Sequence, residues 1–109
     1  KITTVNHLVK LEILHADNSC GINDAGIVQC INLKLLNASN NSEITTVNHL
    51  TQLEFLNASY KCGINDAGIV NCFNLKQINR DMNKKITKKP ICFSLKQIDC
   101  GMNQKITKI

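Results

Sequence analysis

The chain has 109 residues, 43% of them apolar and 19% charged, with a formal net charge of +5. That balance fits an ordered protein; no apolar run is long enough to span a membrane, and no secretory leader pattern opens the sequence. Aromatic residues are scarce, with no Trp and one Tyr, which disfavours an aromatic-lined enzyme pocket, and the abundance of Asn, Ile and Lys is that of an AT-rich coding sequence.

The first segment, KITTVNHL at 1–8, returns as EITTVNHL at 43–50, and CGINDAGIVQC at 20–30 returns as CGINDAGIVNC at 62–72, each displaced by 42 positions. Repetition at such a period marks a stack of supersecondary units rather than one irregular core. Each block holds two shorter units on an L-x-x-L-x-A-x-x-N-x-x-I skeleton. Its first leucines are Leu11, Leu33, Leu53, Leu75 and Leu95, so the spacings are 22, 20, 22 and 20 residues.

In chain order, residues 1–8 supply the return path of an incomplete first unit. Leu14 and Ala16 then alternate with outward neighbours, which predicts one short strand; Leu36 and Ala38, Leu56 and Ala58, Ile78, and Ile98 repeat it. Stacked, these strands form a parallel sheet. The return path I-N-D-A-G-I-V at 22–28 and 64–70 predicts a short helical turn with Asp24 or Asp66 as N-cap. In the shorter units, I-T-T-V-N-H-L at 44–50 predicts an irregular or 3₁₀ segment. Asn41, Asn83 and Asn103 occupy one skeleton position, from which an inward amide can bond backbone groups of neighbouring units; Lys61 interrupts that series. Neither end has a distinctive capping sequence, so the expectation is a slice of a longer array, one structural unit over residues 1–109.

These residues resemble a known family. CGINDAGIVQCINLKLL is similar to the C-x-x-I-T-D-x-G-I-x-x-L-x-x-C-x-x-L-x-x-L pattern of cysteine-containing leucine-rich repeats, with the first Cys one residue closer to the Ile and Asn23 or Asn65 in place of Thr. The shorter units resemble repeats of bacterial or giant-virus type. The resemblance implies an α/β leucine-rich-repeat solenoid, with one short parallel strand per coil and short helical, 3₁₀ or irregular convex segments. It also implies use in protein recognition.

Cys30, Cys72 and Cys92 share a skeleton column with Leu8 and Leu50, and Cys100 matches Ala16, so these thiols are expected to act as small buried hydrophobes. Cys20 and Cys62 lie one block apart, too far to pair. Free thiols imply a reducing compartment, hence an intracellular (cytoplasmic) protein. No C-x-x-C or H-x-x-x-H spacing marks a metal site, and no cofactor motif is present.

His7 and His49 are equivalent turn residues, expected to bond locally. His15 lies on a strand with Asp17 two residues on, but no Ser, Cys or Lys nucleophile recurs beside the pair, so no enzymatic activity is expected. The outward positions form three columns: Ile13, Leu35, Phe55, Gln77 and Gln97; then His15, Asn37, Asn57, Asn79 and Asp99; then Asp17, Ser39, Ser59, Asp81 and Gly101. Ile13, Leu35 and Phe55 make an exposed apolar stripe on the concave face, extended by Tyr60. This is the expected binding site for a protein partner. The bland alternative is a structural spacer whose stripe is covered by a neighbouring segment.

Charge is uneven: residues 1–75 carry four Lys/Arg and six Asp/Glu, net −2, while residues 76–109 carry nine and two, net +7. Lys84, Lys85, Lys88 and Lys89 crowd one return segment and would attract nucleic acid or an acidic partner by sequence-independent electrostatics. With only Phe93 nearby for stacking, a solvated loop is the simpler account. Asn37, Asn40 and Asn57 each open an N-x-S sequon, but glycans on Asn37 and Asn57 would stand on the binding face.

Overall fold

The computed structural model describes residues 2–18, 20–87 and 97–99. Five three-residue strands, β1 (Ile13–His15), β2 (Leu35–Asn37), β3 (Phe55–Asn57), β4 (Gln77–Asn79) and β5 (Gln97–Asp99), form one parallel sheet in chain order. The register matches Ile13, Leu35, Phe55, Gln77 and Gln97 in one row and His15, Asn37, Asn57, Asn79 and Asp99 in the next. Both rows coincide with the columns read from the skeleton. Because the side-chain period is two, a slip by one residue would have exchanged inward and outward sets.

The central residue of each of β1 to β4 points inward. Leu36 and Ile78 are fully buried, as are Ala16, Ala38 and Ala58 beyond the strand ends. The ladder extends past the strands, with the amides of Ala16, Ala38 and Ala58 donating to the carbonyls of Asn37, Asn57 and Asn79 at 2.7–2.8 Å. Two residues later, Asn18, Asn40 and Tyr60 donate to Ser39, Ser59 and Asp81. Each unit thereby satisfies the backbone of the next, as buried peptide groups require. The chain then turns in the left-handed region at Asn18, Asn40, Tyr60 and Met82, with φ between 58 and 62°.

The return paths of the longer units contain 3₁₀ helices at Asp24–Ile27 and Asp66–Ile69. The expected N-caps, Asp24 and Asp66, are displaced by one residue. Asn23 and Asn65 hold that position, and their side chains accept from the Gly26 and Gly68 amides at 3.0 and 2.9 Å. The tighter i→i+3 turn brings the amide of residue 26 over residue 23, which frees Asp24 to bridge to the next unit. Its carboxylate accepts from the Thr45 amide and hydroxyl at 2.8 and 2.5 Å, and Asp66 takes the Thr87 amide and hydroxyl at 2.9 and 2.6 Å. A Cβ on Gly26 or Gly68 would overlap the carbonyl oxygen of Thr3 or Thr45, so glycine permits the close approach of adjacent units. The segment 44–50 is irregular, held by Val47 donating to the Gly68 carbonyl at 2.8 Å.

Between sheet and return paths lies a core of Ile, Leu, Val, Ala and Cys. Cys30, Leu50 and Cys72 fill one buried column, while Leu8, its first member, is 43% exposed. Cys20, Cys30, Cys62 and Cys72 form no disulfide among the described residues; Cys92 and Cys100 lie outside the described residues. Asn41 and Asn83 are buried, and their side-chain amides donate to the Ala16 and Ala58 carbonyls at 2.7 and 2.6 Å. Asn103 is outside the described residues. At Lys61, which is exposed, the expected gap is partly closed by the next residue: Cys62 is buried with its thiol 4.0 Å from the Ile44 carbonyl. His49 does not bond locally as expected. Its Nε2 lies 3.0 Å from the carbonyl of Ile27 in the preceding unit, because stacked return paths bring the imidazole against that unit. Among the described residues, no helix is long and apolar enough to cross a membrane.

Candidate functional site: the outer face of the sheet

Alternation sends the first and third residues of β1 to β4 to the solvent face. There Ile13 is 57% and Phe55 38% exposed, with Leu35 half-buried between them in the same row. A shallow groove of about 310 Å³ runs over β2 and β3. It gathers His15, Leu35, Asn37, Phe55, Asn57, Gln77 and Asn79, seven of the ten expected face residues, over a floor that includes Leu36 and Leu56. Ile13 lies beside it at the β1 edge, while Asp17 and Tyr60 fall beyond the strand ends and outside the groove lining.

The asparagine row has a defined orientation. The Oδ1 atoms of Asn37, Asn57 and Asn79 accept from the amides of Ser39, Ser59 and Asp81 at 3.1, 3.1 and 2.9 Å. Asn57 Oδ1 also accepts from the Ser59 hydroxyl at 2.6 Å. A backbone N–H can only donate, so the side-chain atom facing it is the oxygen. These are Asx turns that fold the chain away from each strand. The sequence shows the signal, an Asn two residues before the turn, but read as N-x-S it suggests a sequon instead.

The third column is more enclosed than expected. Ser59 is buried and shares a 2.9 Å hydroxyl contact with Ser39, and Asp81 Oδ1 is buried without a hydrogen-bond partner among the described residues. Next to His15, which is exposed, the Asp17 carboxylate accepts from Asn18 Nδ2 at 3.1 Å. At the opposite margin, Glu12, Lys34, Glu54 and Lys76 stand just before successive strands in alternating charge, and Lys76 pairs with Glu54 at 3.3 Å.

Lys84 and Lys85 of the basic segment are exposed, and Lys88 and Lys89 lie outside the described residues. Burial raises the pKa of the Cys30 thiol. It also raises that of Cys62, against the lowering effect of the Ile64 and Gly63 backbone amides and the Lys85 charge. A buried, protonated thiol is a poor nucleophile. Among the described residues, no three His, Cys, Asp or Glu side chains gather as a metal ion would need. Comparison with known proteins returns no matching family model, no similar curated protein and no similar solved structure.

Proposed function

We propose that the chain is a leucine-rich-repeat solenoid that works as a non-enzymatic protein-interaction module, binding its partner on the concave outer face of the strands inside a reducing compartment. The observation that carries this reading is the adjacency of Leu35 and Phe55 on β2 and β3, two large apolar side chains facing solvent over a groove of about 310 Å³. The inward row requires apolar residues for stability; this outward row does not, and an apolar centre within a polar rim is how recognition surfaces are built. The half-buried amides of Asn37, Asn57 and Asn79 supply that polar margin.

The test is retention of a partner from nuclease-treated lysate by the wild-type chain and by a Leu35→Ala, Phe55→Ala double variant with an unchanged unfolding transition. Loss of one defined protein on the double variant supports the binding face. Equal retention turns the reading to a spacer, and retention only without nuclease turns it to the lysine segment.

A further inference from the structure

Resting on that reading of the face, we infer that Asn37, Asn57 and Asn79 form a row of hydrogen-bond donors for the backbone carbonyls of an extended segment of a protein partner, with one apolar side chain of that segment seated on Leu35 and Phe55. The three Oδ1 atoms are held by the amides of Ser39, Ser59 and Asp81 at 2.9–3.1 Å. Each side chain therefore turns its Nδ2 group, with two donors and no acceptor, away from its own turn. All three residues line the groove. The row thus presents repeated partial positive charge and asks for acceptors.

Charge complementarity selects the kind of acceptor. Lys34, Glu54 and Lys76 alternate along the margin, with Glu54 and Lys76 paired, so among the described residues the face over β2 to β4 offers no concentrated cationic field for phosphates. Neutral peptide carbonyls match neutral amide donors. Neighbouring strands lie about 4.8 Å apart, so the row spans roughly 9.6 Å, while same-side carbonyls of an extended chain recur at roughly 6.8 Å. One segment crossing the strands thereby sets two carbonyls against the row. Its intervening side chain faces the apolar row of Leu35 and Phe55, two residues back along each strand.

The experiment pans the full chain against a random-peptide display library and measures the enriched peptides on three proteins: wild type, Asn57→Asp and Phe55→Ala. Aspartate keeps an oxygen for the Ser59 amide and hydroxyl but replaces the outward donor with an acceptor. Binding is expected to fall about tenfold or more on Asn57→Asp, with an unchanged unfolding transition. On the peptide, an amide-to-ester change that weakens a carbonyl acceptor lowers affinity, whereas N-methylation at the same peptide bond, which keeps that carbonyl, is tolerated. This second arm needs no folded variant.

Loss on Phe55→Ala with none on Asn57→Asp overturns the donor row and leaves the binding face standing. Absence of any enriched peptide, or indifference to both variants, overturns both readings. A dimer that Asn57→Asp dissolves reassigns the face to a second copy of this chain, and selective retention of an oligonucleotide reassigns it to nucleic acid; either result overturns the proposal.

Discussion

Cys62 lies with its thiol 4.0 Å from the carbonyl of Ile44, the same relation in which Asn41 meets Ile22 at 3.0 Å and Asn83 meets Ile64 at 3.3 Å. One buried carbonyl per unit thus receives a donor from the next unit, a strong amide alternating with a weak thiol. Asn83 does more: its Oδ1 also accepts from the Lys85 and Ile86 amides at 2.7 and 3.2 Å. Asn83→Ala leaves buried carbonyls and amides unpaired and is expected to cost about 3 kcal/mol. Cys62→Ala removes one weak contact and a small side chain, at about 1 kcal/mol. Urea unfolding of both variants at constant slope checks the ratio, and equal losses would show that the amide bonds carry no special weight.

Gly68 marks where the units approach most closely. A Cβ there would overlap the Thr45 carbonyl oxygen and crowd the Thr46 Cα at 3.2 Å. Both obstacles are backbone, which a rotamer change cannot move. Gly68→Ala is expected to destabilise by about 2 kcal/mol through forced separation of the units. Gly26 has the same contacts with Thr3 and Thr4, and the Val5 amide holds that segment to the Gly26 carbonyl at 2.9 Å as Val47 does to Gly68, so Gly26→Ala is expected to cost a similar amount. Thermal unfolding of the two variants against wild type reads both losses.

The strands, their order and their register were legible in the sequence because an inward Leu or Ile flanked by outward positions recurs at a fixed spacing, and a slip would bury the wrong set. Asn41 and Asn83 were legible for the same reason. What escaped was set by backbone geometry rather than by pattern. Asn23 displaced Asp24 as the cap because the turn is 3₁₀, and Cys62 rather than Lys61 turned inward. The face residues were legible as a list. The anchored orientation of Asn37, Asn57 and Asn79 was not, since it depends on which atom meets the amide two residues on.

The buried thiols predict a loss of stability on the alkaline side. Burial holds the Cys30 and Cys62 pKa values above the usual 9.0, so the folded state keeps protons that the unfolded chain releases first. Their contribution is fully present below about pH 9 and is lost as pH rises toward the folded values. A Cys30→Val, Cys62→Ala variant should show a flatter decline above pH 9 than wild type, read by urea unfolding across that range. In native protein, a thiol reagent should label half-buried Cys20 before Cys30, Cys62 and Cys72; simultaneous labelling would place those three in contact with solvent.

Tyr60 occupies the left-handed region at φ 58°, where the equivalent residues of the two preceding units are Asn18 and Asn40. Asn tolerates that conformation, whereas a side chain branched into a ring meets the full steric cost, about 1 kcal/mol or more. Tyr60 is also 49% exposed, so its ring recovers little of that cost by burial. Tyr60→Asn is therefore expected to raise stability by about 1 kcal/mol. If Tyr60 extends the binding face, the same change lowers affinity for a partner or enriched peptide, so stability and binding move in opposite directions. Unfolding and binding measured on one preparation separate the outcomes: a gain in stability with unchanged affinity confines the site to the groove over β2 and β3, and no gain in stability removes the argument from backbone strain.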